Sequence, residues 1–238
     1  MKMHKKWTYI IGWILSTAAM AYLVYRLSIF DDYPLFAQHL SSVTGTQAVW
    51  IVAVLLLLPV QVAVEAVKWQ WILRGVTTIS FPASLAQVLY GYVGGFITPY
   101  RLGEYPARIL RMGYSLDDWQ GILGSWRQWL RDWRKWLTVL CLHLLRYAVW
   151  MLQLWAVLAF CVVSLTPAQA LWAIPTYYLL ISIMPSLPAA DVPIKGGWAT
   201  VVFGAFTMNT PAILLAVTLI WFINTIIPTI IGAFMLKK

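Results

Sequence analysis

The chain has 238 residues, 61% of them hydrophobic and only 11% charged, against roughly 25% charged in soluble domains. Several runs reach the ~20 apolar residues that a bilayer-spanning helix needs, which excludes a soluble enzyme or a water-exposed binding module. The formal charge of +9 does not point to nucleic acid, because the basic residues sit at the ends of apolar runs, where the positive-inside rule and anionic lipid account for them.

Lys2, Lys5 and Lys6 precede an apolar run from Trp7 to Leu27. Ala19-Met20-Ala21 resembles a signal-peptidase site, but the apolar run continues through Tyr22, Leu23 and Val24. We read an uncleaved first transmembrane helix over 7–27 with its amino end in the cytoplasm. The loop that follows carries Asp31 and Asp32 and no Lys or Arg, as an external loop should. A second span is expected over 48–73. Its last third holds Glu65 and Lys68, three residues apart and therefore on one helix face. Either Lys68 snorkels to the interface beside a counter-ion, or Glu65 faces the bundle interior and lines a site.

Residues 81–97 are apolar but broken by Pro82, Gly91, Gly94 and Gly95, and positive charge stands on both sides (Arg74 before, Arg108 and Arg111 after). A full crossing would leave one of those charges outside. A re-entrant helical hairpin over 81–112, turning at Pro99-Tyr100-Arg101-Leu102-Gly103-Glu104, satisfies both. That turn brings Arg101, Glu104 and Arg108 close to lipid, where charge persists only if protein or a water-filled cavity receives it. Ser115, Asp117 and Asp118 then read as a helix start. Trp119, Ile122, Trp126, Leu130 and Trp133 follow at helical spacing, with Arg127, Arg131 and Arg134 on another side. This is the pattern of an interfacial amphipathic helix over about 115–135, with a tilted crossing helix as the alternative.

A third span is expected over 136–165. Arg146 lies roughly 15 Å into it, so it is either functional or one half of an ion pair with Glu65 or Glu104. Cys141 and Cys161, on the same helix, would stand about 30 Å apart, too far for a disulfide. The last span, 212–236, ends in Lys237-Lys238, expected in the cytoplasm. Parity then makes 171–208 a second re-entrant hairpin from the opposite face, with Asp191 and Lys195 near its tip. The expected fold is an all-α polytopic membrane protein, one integral membrane domain of about four full transmembrane helices, two opposed re-entrant hairpins and the interfacial helix. Broken helices in two opposed halves are the logic of transporters.

Glu65-Ala66-Val67-Lys68-Trp69 and Pro99-Tyr100-Arg101-Leu102-Gly103-Glu104 with Arg108 resemble the signature of the lysylphosphatidylglycerol synthase transmembrane-region family, the flippase-like domain. Arg146-Tyr147, Pro185-Ser186 and Trp221-Phe222-Ile223-Asn224 with Pro228 and Gly232 are similar to its later motifs. The resemblance covers most of the chain from about residue 50 onward. It implies a multi-pass protein of the bacterial cytoplasmic membrane, and without a synthase domain it implies lipid movement rather than aminoacyl transfer. At the second hairpin, Pro193, Lys195 and Gly196 stand where relatives tend to carry a glycine, a basic residue and a glutamate.

The leading expectation is therefore a non-enzymatic, flippase-like protein that moves or binds an anionic or aminoacylated membrane lipid. Arg101, Arg108, Arg146 and Lys195 would meet the anionic headgroup, since phosphate suits arginine's fork. Glu65, Glu104 and Asp191 would balance them or meet a cationic part of the lipid. Neither a metal nor another cofactor is expected, because His4, His39 and His143 are scattered and the acids are few. Two other readings stand beside it: a membrane enzyme using Glu104 as general base, and a non-catalytic partner of a separate envelope-biosynthesis enzyme. Homo-oligomerisation is compatible with any of the three.

Overall fold

The structure, a computed structural model, describes residue 34 and residues 45–74, 77–111, 132–184 and 191–235. The expected first span (7–27) and nearly all of the expected interfacial helix (115–135) lie outside these residues. Every described element is helical. The order is α1 (Gly45–Leu73), α2 (Phe81–Ile97), a short 3-10 turn (Pro99–Arg101), α3 (Glu104–Leu110), α4 (Trp133–Phe160), α5 (Pro167–Ile183), α6 (Asp191–Phe203) and α7 (Thr210–Trp221). A π-turn (Phe222–Ile226) then leads into α8 (Ile227–Phe234). Among the described residues three stretches are long and apolar enough to cross a membrane, Gln47–Leu73, Trp133–Phe160 and Thr210–Phe234.

The chain packs as two compact units. One holds α1 up to Leu55 and the chain from Met151 to Phe222; the other holds Leu56–Trp150 and the chain from Ile223 on. We call them the α5–α6 unit and the α2–α3 unit after the helical pair each contains.

In the α2–α3 unit, α2 begins after extended Ser80 with Pro82 in its first turn, where the missing N–H costs nothing. It stops at Thr98, which is extended (ψ 142) because the ring of Pro99 disfavours helical backbone in the residue before it. The Thr98 hydroxyl donates back to the Gly94 carbonyl at 2.8 Å and accepts the Gly103 N–H at 2.7 Å. With that tie the chain reverses and α3 packs against α2. The C-terminal α8 also lies on α2, so close that a Cβ on Gly232 would run into the Leu89 carbonyl. Gln61 links further elements: it donates to Asn224 at 2.9 Å and accepts from the Trp150 indole.

In the α5–α6 unit, α4 ends five residues before the expected 165. Val162 turns left-handed (φ 62) and the Val163 N–H closes onto the Leu158 carbonyl at 2.8 Å, a Schellman-type stop. Thr166 and Gln169 then form a capping box with Pro167 in the first turn, so α5 starts four residues before the expected 171. The larger difference is α6. Asp191 and Lys195, expected near the tip of the second hairpin, both lie in α6, whose first described turn also holds Pro193. A proline in the first turn loses only an N–H that would be unpaired anyway, and a carboxylate there favours the helix. Tyr177 and Phe203 pack ring to ring at 5.4 Å between α5 and α6. Asn209 caps α7, accepting the Ala212 N–H at 3.2 Å.

Candidate functional site

The polar centre of the α2–α3 unit is laid on apolar helices by period. Gln61, Glu65, Lys68 and Trp69 fall at i, i+4, i+7 and i+8 on α1, and all four are buried. Opposite them Ser84, Gln87, Val88, Gly91 and Gly95 make the buried face of α2. The two faces are joined by the Trp69 indole donating to Gln87 at 2.7 Å and the Ser84 hydroxyl donating to the Ala66 carbonyl at 2.6 Å. Large apolar side chains such as Leu56, Leu144 and Phe234 are exposed instead. Polar inside and apolar outside is the arrangement that a lipid solvent imposes.

Within this frame the charges form one chain. Glu65 is the hub: its Oε1 lies 2.9 Å from an Arg108 terminal nitrogen, and its Oε2 lies 2.5 Å from Lys68 Nζ and 2.7 Å from Arg146. Arg108 continues the chain, its second terminal nitrogen reaching Glu104 at 2.5 Å. Glu104 in turn holds Arg101 at 3.2 Å. Arg146, from α4, also donates to the Tyr92 hydroxyl at 3.2 Å. Aromatic faces complete the cation seats: Trp69 and Tyr105 flank Arg108, Trp150 lies under Arg146 and Tyr92 under Arg101. Such ring contacts favour arginine over lysine.

Two backbone features make room for this. Arg108 is wholly buried because Gly91 has no side chain; a Cβ there would stand 2.7 Å from Arg108 Nε. At the tip, Tyr100 and Arg101 both take left-handed backbone (φ 56 and 55), a conformation that costs non-glycine residues of order 1 kcal/mol or more. Arg101 is thereby carried to the rim, with 36% of its side chain accessible, while Glu104 and Arg146 are partly accessible and Lys68 is not. Burial of Lys68 differs from the snorkelling alternative, in which the ammonium reaches water.

The structure thus brings together five of the seven residues singled out in the sequence: Glu65, Arg101, Glu104, Arg108 and Arg146. Asp191 and Lys195 belong to the α5–α6 unit. There Lys195 Nζ lies 2.6 Å from Asp191 Oδ2, which also accepts the Trp221 indole N–H at 2.9 Å. Lys68, Tyr92 and Trp69 are additions that the sequence reading did not assign to the site. The signal for Lys68 and Trp69 was their heptad-like spacing with Glu65; for Tyr92, one residue past Gly91, no comparable signal exists. Among the described residues no group of three or more His, Cys, Asp or Glu could hold a metal ion. Comparison with protein-family models, curated proteins and solved structures returned no match.

Proposed function

We propose that this is a flippase-like membrane protein that binds, and moves between leaflets, a lipid with an anionic headgroup, and that the headgroup is received at Arg101 and Arg146, with the buried Arg108 adding positive charge behind them. The observation that carries this reading is the charge-rich cluster on helices whose exposed surface is apolar. Burying ions costs several kcal/mol each, and closed pairs of equal charge offset this best. Here Lys68, Arg101, Arg108 and Arg146 stand against Glu65 and Glu104 among the described residues, so the offset is incomplete without an anion. The Nε atom of Arg146, a partly accessible side chain, is buried without a hydrogen-bond partner. The likeness to the lysylphosphatidylglycerol synthase transmembrane-region family, a bacterial inner-membrane location and a re-entrant α2–α3 hairpin belong to the same proposal. In it, catalysis is not the role of Glu104, which is occupied by two arginines.

Reconstitution in liposomes tests it. Leaflet exchange of fluorescent anionic, zwitterionic and aminoacylated lipids should depend on the headgroup and be lost in both Glu104→Gln and Arg101→Ala. No exchange of any lipid by folded protein would sink the translocase and favour a non-catalytic partner of an envelope enzyme.

A further inference from the structure

We infer that the headgroup taken by the α2–α3 cluster is a dianion, a phosphomonoester or diphosphate carried on a lipid, in preference to a phosphodiester or a cationic headgroup. This rests on the lipid-handling reading above and names its substrate class. Four cations and two carboxylates leave an excess of two positive charges among the described residues. A phosphodiester lipid neutralises one of them. A phosphomonoester, carrying about −1.5 to −2 near neutral pH, neutralises both, and an aminoacylated phosphodiester, neutral or cationic overall, neutralises neither.

Geometry divides the roles. Lys68 is sealed behind Glu65, so it contributes charge without touching a ligand. Arg101 and Arg146 are the accessible cations, and arginine's planar fork is suited to phosphate oxygens. The rim decides the source of the phosphate. Ile97, Tyr100, Leu102 and Tyr105 surround the tip and are all exposed, an apolar collar that suits an acyl or isoprenoid chain and offers a free hydrated anion nothing.

The test uses the full chain in phosphatidylcholine nanodiscs at pH 8, titrated with phosphatidic acid or with phosphatidylmethanol of the same acyl chains. The two lipids differ in one ester methyl and hence in one charge, and binding is read from tryptophan fluorescence. Phosphatidic acid should bind on the order of tenfold tighter, within the range that one more charge in contact with an unmatched cation gives, from about fivefold at the dielectric of bulk water to about a thousandfold at an effective dielectric near 20. Lys68→Met, which removes a charge without removing a contact, should bring that preference below about threefold while phosphatidylmethanol still binds. Should that variant not fold, Arg101→Gln on the rim provides the same loss of preference. Equal binding of the two lipids, or an undiminished preference in the folded variant, overturns the dianion and leaves the lipid site standing. Absence of binding by either lipid overturns both readings. Inorganic phosphate that displaces phosphatidic acid at equal concentration would assign the site to the free anion and overturn the lipid-borne class.

Discussion

Glu65 and Asp191 begin from nearly the same local sequence chemistry and end differently. Each is a carboxylate paired with a lysine on its own helix, Lys68 at i+3 and Lys195 at i+4. What differs is what arrives from elsewhere. Asp191 receives a neutral indole N–H from Trp221, whereas Glu65 receives Arg108 from α3 and Arg146 from α4. Among the described residues, the first arrangement sets one anion against one cation and a dipole. The second binds more cation than its carboxylates match. The proposed site is therefore marked not by a close ion pair in an apolar helix but by a charge imbalance held in place by aromatic seats and a missing Cβ.

The largest test of this contrast removes the bridge. Arg108 is wholly buried between two carboxylates, so Arg108→Met opens two ion pairs at once and should cost about 3 kcal/mol, the low end for a broken buried pair, because Glu65 keeps Lys68 and Arg146 and Glu104 keeps Arg101. The readout is helix signal against denaturing detergent. A loss below about 1 kcal/mol would mean that solvent reaches the pair and weakens it as at an exposed surface. Next comes a variant that changes no charge. Gly91→Ala puts a Cβ 2.7 Å from Arg108 Nε and 3.0 Å from the Glu104 carbonyl, and overpacking of this kind costs about 1–3 kcal/mol. Its lipid binding should fall with stability, because the arginine cannot be displaced into open space.

Paired substitutions compare the clusters on one scale. Coupling between Glu65→Gln and Lys68→Met should reach about 1–3 kcal/mol, as expected for neighbours in one network. Between Asp191→Asn and Lys195→Met it should stay near or below about 1 kcal/mol, because Lys195 is 26% accessible and Asp191 12%. Equal couplings would erase the distinction drawn here.

The sequence carried the local half of this architecture. Charge three residues apart on an apolar run placed Glu65 and Lys68 together, and Pro99 with Gly103 marked the turn that the Thr98 hydroxyl ties. Spans at 48–73 and 136–165 differ from the helices only at their ends, and the one at 212–236 also contains the π-turn Phe222–Ile226. Three things were not legible. Whether Arg146 meets Glu65 or Glu104 depends on packing between helices 81 residues apart in sequence, which no periodicity reports. That Asp191 and Lys195 lie on one helix was hidden because Pro193, Gly196 and Gly197 have low helix propensity, although the first helical turn tolerates proline. The room for Arg108 comes from Gly91, one of several glycines that looked alike as interruptions of an apolar run.

The smallest effect is the most discriminating for Asp191. Trp221→Phe keeps an aromatic ring against the helix and removes only the indole N–H at 2.9 Å from Asp191 Oδ2. That oxygen still holds Lys195 at 2.6 Å, so no buried charge loses its counter-ion. A hydrogen bond to a charged acceptor is worth about 1.5–3 kcal/mol, a neutral one about 1; with the ammonium retained and water within reach, a loss of about 1 kcal/mol is expected. Lipid binding at the α2–α3 cluster should be unchanged. A loss approaching that of Arg108→Met would mean that the indole, rather than the lysine, is the main support of the Asp191 carboxylate. Asp191 would then be a second under-compensated ion, and the pairing that makes this unit the quiet one would fail.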